Sequence, residues 1–151
     1  MVCQKYDEIS NGKNGSTNNA KAMFHLFYDR GNLPMTARDV QKILGARVLT
    51  GEEFLDREIT SACASDMMSD VLAFVKNQAV LLTGLVNPQV IRTAEMMDMH
   101  CVVFVRGKEP SDEMLSLAKD CEIVVMTTGL RMFEACGILY THGLSGKEDT
   151  L

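Results

Sequence analysis

The chain has no tryptophan, three prolines and only 6% aromatic residues among its 151 positions. Its core must be filled by aliphatic side chains and by some of its 11 methionines, adaptable residues that occupy irregular gaps. No apolar run approaches the roughly 18 residues needed to cross a bilayer. The opening MVCQKYDEISNGKNG lacks the apolar segment of a secretion signal. Basic residues are in deficit, 15 against 20 acidic ones, for a net charge of −5. That excludes a bulk electrostatic grip on nucleic acid or on an anionic membrane. The cysteines, Cys3, Cys63, Cys101, Cys121 and Cys136, are odd in number and form no C-x-x-C pair. Three lie in or beside apolar runs. Buried, reduced thiols fit this distribution best and imply a cytoplasmic location.

Chemical motifs are equally sparse. Gly143-Leu144-Ser145-Gly146-Lys147 is too short between its glycines to be a phosphate loop, and Glu148 stands where Ser or Thr is required. No G-x-G-x-x-G follows an apolar run. Nucleotide hydrolysis is therefore not expected. Cys63 and Ser65 are conceivable nucleophiles, but nucleophilic catalysis needs an adjacent base, and the chain has three histidines. His25 lies in the N-terminal stretch, His142 near the C-terminus, and His100 at the start of an apolar run. No catalytic residue is assigned. Met67, Met68, Met96, Met97 and Met99, with His100 and Cys101, are soft donors of the kind that bind copper(I). They divide between two helical stretches at core spacing and are read as packing. No metal and no cofactor are expected.

What is present is periodicity. Apolar residues make up 46% of the chain, enough for one domain with a real core. Residues 78–106 organise the rest: an apolar run Ala79–Leu82, Thr83-Gly84, a helical stretch from about Asn87 to Met99, then a second run Cys101–Val105. Strand, helix, strand at this length is a βαβ unit with a right-handed crossover. Upstream, Thr36 caps a helix carrying Val40, Ile43 and Leu44, with Gly45 at its end. Ser65 or Asp66 starts a helix with Met67, Val71, Leu72 and Val75, and Ser111 starts another with Met114 and Leu115. A last helix follows Gly129, with Met132, Phe133, Cys136 and Leu139-Tyr140. Strands are expected at about 46–49, 57–62, 79–83, 101–105 and 123–126. Alternating strands and helices with continuously apolar strands predict a three-layer α/β/α sandwich, its central sheet of about five strands mostly parallel. Residues 1–34 are expected to be a poorly structured leader with one short amphipathic helix at 20–28, and Met35 to be the natural start. The domain runs 35–144, and 145–151 form a frayed tail.

In a parallel sheet, three strand-to-helix junctions meet at the carboxyl edge, where open α/β folds bind ligands. The candidate ligand residues are Thr83, Gly84, Arg106, Lys108, Thr127 and Thr128. Free amides at the following helix starts, together with two basic side chains on an acidic chain, would favour an anion. Turn chemistry alone is the competing account of the glycines.

From Met35 to about Leu144 the chain resembles the DRTGG domain family. The resemblance is carried by MTARDVQKILGARVLTGEE, by SACASDMMSDVL, by the stretch AVLLTGLVNPQVIRTAEMMDMHCVVFVRGKEPSDEMLSLAKDCEIVVMTTGLRMFEACGIL, and by the spacing between them. It is similar to small stand-alone members and to the N-terminal domain of HPr serine kinase, which lacks the phosphate loop. Related domains stand beside CBS domains in regulated pyrophosphatases and ahead of the catalytic part of some phosphotransacetylases. The resemblance implies an α/β/α sandwich, usually self-associating, with a regulatory or scaffolding role. Taken with the basic residues at the carboxyl edge, the expectation is a non-catalytic regulatory module, a homodimer that binds a small anionic ligand or a protein partner. The alternative is a small enzyme or phosphotransfer component of carbohydrate control. The eponymous Asp-Arg-Thr-Gly-Gly would fall around Thr83 to Gln89. There the chain reads TGLVNPQ, without the acidic and basic residues.

Overall fold

The computed structural model describes residues 34–74 and 79–146. The expected helix at 20–28, Val75 and most of the tail beyond 145 lie outside them. Of the two units into which the chain divides, Met1–Asn32 and Leu33–Leu151, the description concerns the second.

In chain order the elements are β1 (Met35–Thr36), α1 (Ala37–Leu44), β2 (Arg47–Thr50), a 3-10 turn (Glu52–Phe54), β3 (Glu58–Ile59), β4 (Ser61–Ala64), α2 (Met68–Phe74), β5 (Ala79–Thr83), α3 (Pro88–Met96), β6 (Cys101–Phe104), α4 (Asp112–Asp120), β7 (Val124–Thr127) and α5 (Met132–Thr141). The main sheet has the order β2-β7-β6-β5-β4. Strands β4 to β7 are parallel, and β2 joins the edge antiparallel to β7.

Because β4, β5, β6 and β7 advance in one direction without reversing, a constant crossover hand must put all three connecting helices on one face. The packing shows this. Leu81, Val102, Phe104 and Val125 face α2, α3 and α4 through Met68, Val71, Val90, Ile91, Ala94, Met114 and Ala118. The alternate residues, Val80, Leu82, Val103 and Met126, face α1 and α5 through Val40, Leu44, Ala135 and Leu139. Period-two alternation sends successive side chains to opposite faces, and both faces are covered, so every residue of β5, β6 and β7 is buried. The result is the three-layer sandwich with a five-stranded, mostly parallel sheet.

Local chemistry sets the element ends. Thr36 and Asp39 form a reciprocal capping box at the start of α1: Asp39 N donates to Thr36 Oγ1 at 3.3 Å, and Thr36 N donates to Asp39 Oδ2 at 2.9 Å. These bonds hold the Asp39 carboxyl below its usual range. Gly51 has φ 82, and a Cβ there would lie 2.9 Å from the Ile123 carbonyl and the Val124 Cα. Only glycine lets the chain leave β2 so close to β7.

The strand expected at 57–62 is two strands in two sheets. Glu58–Ile59 pairs antiparallel with Met35–Thr36, Thr60 intervenes, and Ser61–Ala64 pairs with β5 in the main sheet. The first piece is held under the start of α1, where Ala37 N donates to Arg57 O at 3.0 Å and Arg38 N to Leu55 O at 2.8 Å.

Candidate functional site

The parallel strands end at Ala64, Thr83, Phe104 and Thr127, and their following loops lie side by side. The loop after β6 leads to α4 on one face, and the loop after β7 leads to α5 on the other. Such divergence opens a crevice in α/β sheets. Here backbone bonds close it. Arg106 N donates to Leu130 O and Gly107 N to Thr128 O, each at 2.8 Å. Thr127 Oγ1 donates to Lys108 O at 2.7 Å, and Thr128 Oγ1 donates to Leu44 O at 3.1 Å. Thr128 Oγ1 also accepts from Leu130 N at 3.3 Å. Thr127 and Thr128 are thus buried fasteners between loops, and the Arg106 and Gly107 amides are engaged in backbone bonds.

The half of the edge at β4, β5 and β6 is different. Asp66 Oδ1 accepts from Gly84 N at 2.6 Å and from Thr83 Oγ1 at 3.1 Å. Its other oxygen stands 3.6 Å from Arg106 Nη2, with both side chains about half exposed. Thr83 is fully buried and also accepts from Leu85 N at 3.1 Å. One acid, one guanidinium, one hydroxyl and one amide therefore meet where three strands end. The structure brings together Thr83, Gly84 and Arg106 of the residues named from sequence. Lys108, exposed, lies two residues past Arg106.

Two features hold the guanidinium there. Arg106 and Gly107 both have left-handed backbone, φ 60 and 64, and Lys108 N donates to Val105 O at 3.2 Å. This is a tight turn normally built from Asn and Gly. A left-handed arginine costs about 1–2 kcal/mol, whereas a half-exposed ion pair stabilises by about 0–1 kcal/mol. The Asp66 pair does not by itself offset the conformation. Second, a Cβ at Gly84 would overlap the Arg106 guanidinium. The missing side chain at 84 is the space Arg106 occupies.

Asp66 is the residue the sequence reading assigned elsewhere, as a helix start. Ser65 Oγ accepts from Met67 N at 3.0 Å, in the turn just before α2 begins at Met68. With β4 ending at Ala64, Asp66 falls on the edge like the others.

Among the described residues, no cysteine and no histidine belongs to this cluster. Burial pushes the Cys101 thiol up to about 12, and burial also raises Cys63 and Cys136. Thiolates, the reactive forms, are disfavoured at all three. Among the described residues, no group of three or more His, Cys, Asp or Glu side chains is placed to hold a metal ion, and no helix is long and apolar enough to cross a membrane. A separate apolar cavity of about 210 Å³ lies beside β4, lined by Ala62, Leu82, Cys136, Leu139, Tyr140 and Leu144 among others.

Comparison with curated protein sequences finds no match. The fold is similar, with a TM-score of 0.61 and 20% sequence identity, to a crystal structure of the CBS and DRTGG domains of the regulatory region of Clostridium perfringens pyrophosphatase, complexed with its activator diadenosine tetraphosphate. The similarity covers 90% of this chain and 62% of that one. The sequence matches the DRTGG domain over residues 39–141, more than half of the chain and every strand of the main sheet, and the chain belongs to the DRTGG domain family.

Proposed function

We propose that this domain is a non-catalytic regulatory module that senses a small anionic metabolite or nucleotide at the ends of β5 and β6, and that it works in the cytoplasm as a homodimer. The observation that carries the reading is the Arg106 guanidinium, held over Gly84 by a left-handed backbone that its ion pair alone does not offset. Lys108 adds a second positive charge to the same loop. The pyrophosphatase regulatory region, which contains a domain of the same family, is complexed with an anionic dinucleotide activator, and this supports the ligand class. Self-association is supported by two large apolar side chains seven positions apart on α5, Phe133 at 88% and Tyr140 at 61% exposure.

A thermal-shift screen tests it. Mononucleotides, diadenosine tetraphosphate and pyrophosphate are presented to wild type and Arg106→Ala. A ligand at a hundred times its Kd stabilises by about 2.7 kcal/mol, a shift readily measured in a domain of this size. The expected result is a shift in wild type that Arg106→Ala loses, through at least about tenfold weaker binding. Equal shifts in both would move the site elsewhere, and the exposed side of α3 around Met96 would become the better candidate as a protein-partner surface.

A further inference from the structure

Three donors converge on one point: the Gly84 amide, the Thr83 hydroxyl and the Arg106 guanidinium. Backbone amide, hydroxyl and planar fork are the donor types that cradle a phosphoryl group. The point is filled by the chain's own carboxylate. Asp66 Oδ1 takes the amide at 2.6 Å and the hydroxyl at 3.1 Å, but its second oxygen reaches only 3.6 Å from Arg106 Nη2. Two donors are satisfied, and the fork is not fully engaged. Asp66 is 53% exposed on its side chain and sits on the connection between β4 and α2, outside both elements.

We propose that Asp66 is an internal stand-in for the ligand, a carboxylate occupying a phosphoryl site, and that a phosphate-bearing ligand binds by displacing it. This rests on the reading that an anion binds beside Arg106, and adds the phosphoryl class and the competitor. A phosphoryl group presents three oxygens where a carboxylate presents two. It therefore satisfies the amide, the hydroxyl and the guanidinium together. With Asp66 turned outward, Arg106 and Lys108 face a dianion with no opposing charge in the cradle. Displacement also frees the residue two positions before α2, so occupancy is reported at the start of that helix.

The test titrates inorganic pyrophosphate into wild type, Asp66→Asn, Asp66→Ala and the double variant Asp66→Ala/Arg106→Ala, with calorimetry and with the Gly84 amide resonance as readouts. Asn keeps an acceptor for Gly84 and Thr83 and removes the charge, so it preserves the loop if the alanine variant unfolds. Expected is binding at least tenfold tighter in Asp66→Asn than in wild type, a titrating Gly84 amide, and loss of the gain in the double variant or, with Asn, in Asp66→Asn/Arg106→Ala. Binding that is unchanged, weaker or absent in both Asp66 variants overturns the displacement proposal and leaves the Arg106 site standing wherever wild type binds. Tighter binding that persists without Arg106, with a silent Gly84 amide, overturns the site itself.

Discussion

The carboxyl edge of the sheet has two halves built from the same residue types, and they have opposite characters. At β6 and β7, Thr127 and Thr128 spend their hydroxyls on carbonyls of Lys108 and Leu44, and neighbouring amides bond across the loops. At β4 and β5, Thr83 donates to a carboxylate that is half exposed and shares a loosely held guanidinium. A backbone carbonyl as partner closes a loop permanently, because it cannot leave without the chain. A side-chain carboxylate as partner can be exchanged for another anion at small cost. One half is therefore read as structure and the other as site, and mutations should separate them by what they change.

The largest effect comes from a residue beneath both halves. Val103 lies in β6, fully buried in the α1/α5 layer. Val103→Asp places an unpaired carboxylate there, at a cost of more than about 3 kcal/mol. Chemical denaturation should show that both halves are lost together. If the variant remained soluble and cooperative, β6 would not be the shared central strand on which the comparison depends.

Next is the closed half. Thr128→Val leaves the Leu44 carbonyl and the Leu130 amide without partners at a buried position, and should cost about 1–3 kcal/mol with ligand affinity unchanged. Arg106→Ala is its mirror: unfolding midpoints within about 0.5 kcal/mol of wild type and affinity reduced at least about tenfold. A Thr128→Val variant that loses ligand but not stability would reverse the assignment of the two halves.

A glycine pair makes the comparison finer. At Gly84 a Cβ would overlap the Arg106 guanidinium, whereas at Gly129, after β7, nothing stands near a Cβ. Gly84→Ala should push the flexible arginine out and weaken anion binding, with a change in stability below about 1 kcal/mol. Gly129→Ala should leave binding as it is. Calorimetry on the two variants reads the contrast directly.

How much of this was legible beforehand follows from which interactions are local. Ala79–Thr83 and Cys101–Phe104 announce themselves because burial on both faces makes a strand continuously apolar, and the cap at Thr36–Asp39 spans three residues. The fold class needed nothing else. The site did not yield as fully. Thr83, Gly84 and Arg106 were found by a positional rule, that loops at strand ends converge. Asp66 joins them across 17 and 18 positions to Thr83 and Gly84, and its place depended on where β4 ends. The one strand expected there is two, because Thr60, a residue at home in strands, hides the passage from one sheet to another. The acid and base that the TGLVNPQ loop lacks thus stand beside it after all, supplied by Asp66 and Arg106 from the neighbouring strand ends. Nor does an apolar pattern distinguish a threonine bonded to a carbonyl from one bonded to a carboxylate.

The smallest effect links the closed half to pH. The Leu44 carbonyl that Thr128 holds belongs to the last residue of α1, and the capping box at Thr36 and Asp39 secures the other end of that helix. Hydrogen bonds from the Thr36 amide and hydroxyl depress the Asp39 carboxyl below its ordinary value. A carboxyl lowered in the folded state contributes stability that is complete above its unfolded value and disappears as pH falls through the lowered one. The carboxylate is only part-buried and is screened by solvent, so the contribution is about 0.3–1 kcal/mol at low ionic strength. Acidification through the carboxylate range should therefore loosen α1 and, through Leu44, the fastening at Thr128. Hydrogen exchange at the Leu130 and Gly107 amides measures this, and Asp39→Asn should remove that increment of acid dependence while lowering protection at neutral pH. Protection at Leu130 with the same acid dependence in wild type and Asp39→Asn would show that the closed half is held by the β6 and β7 loops alone, without help from α1.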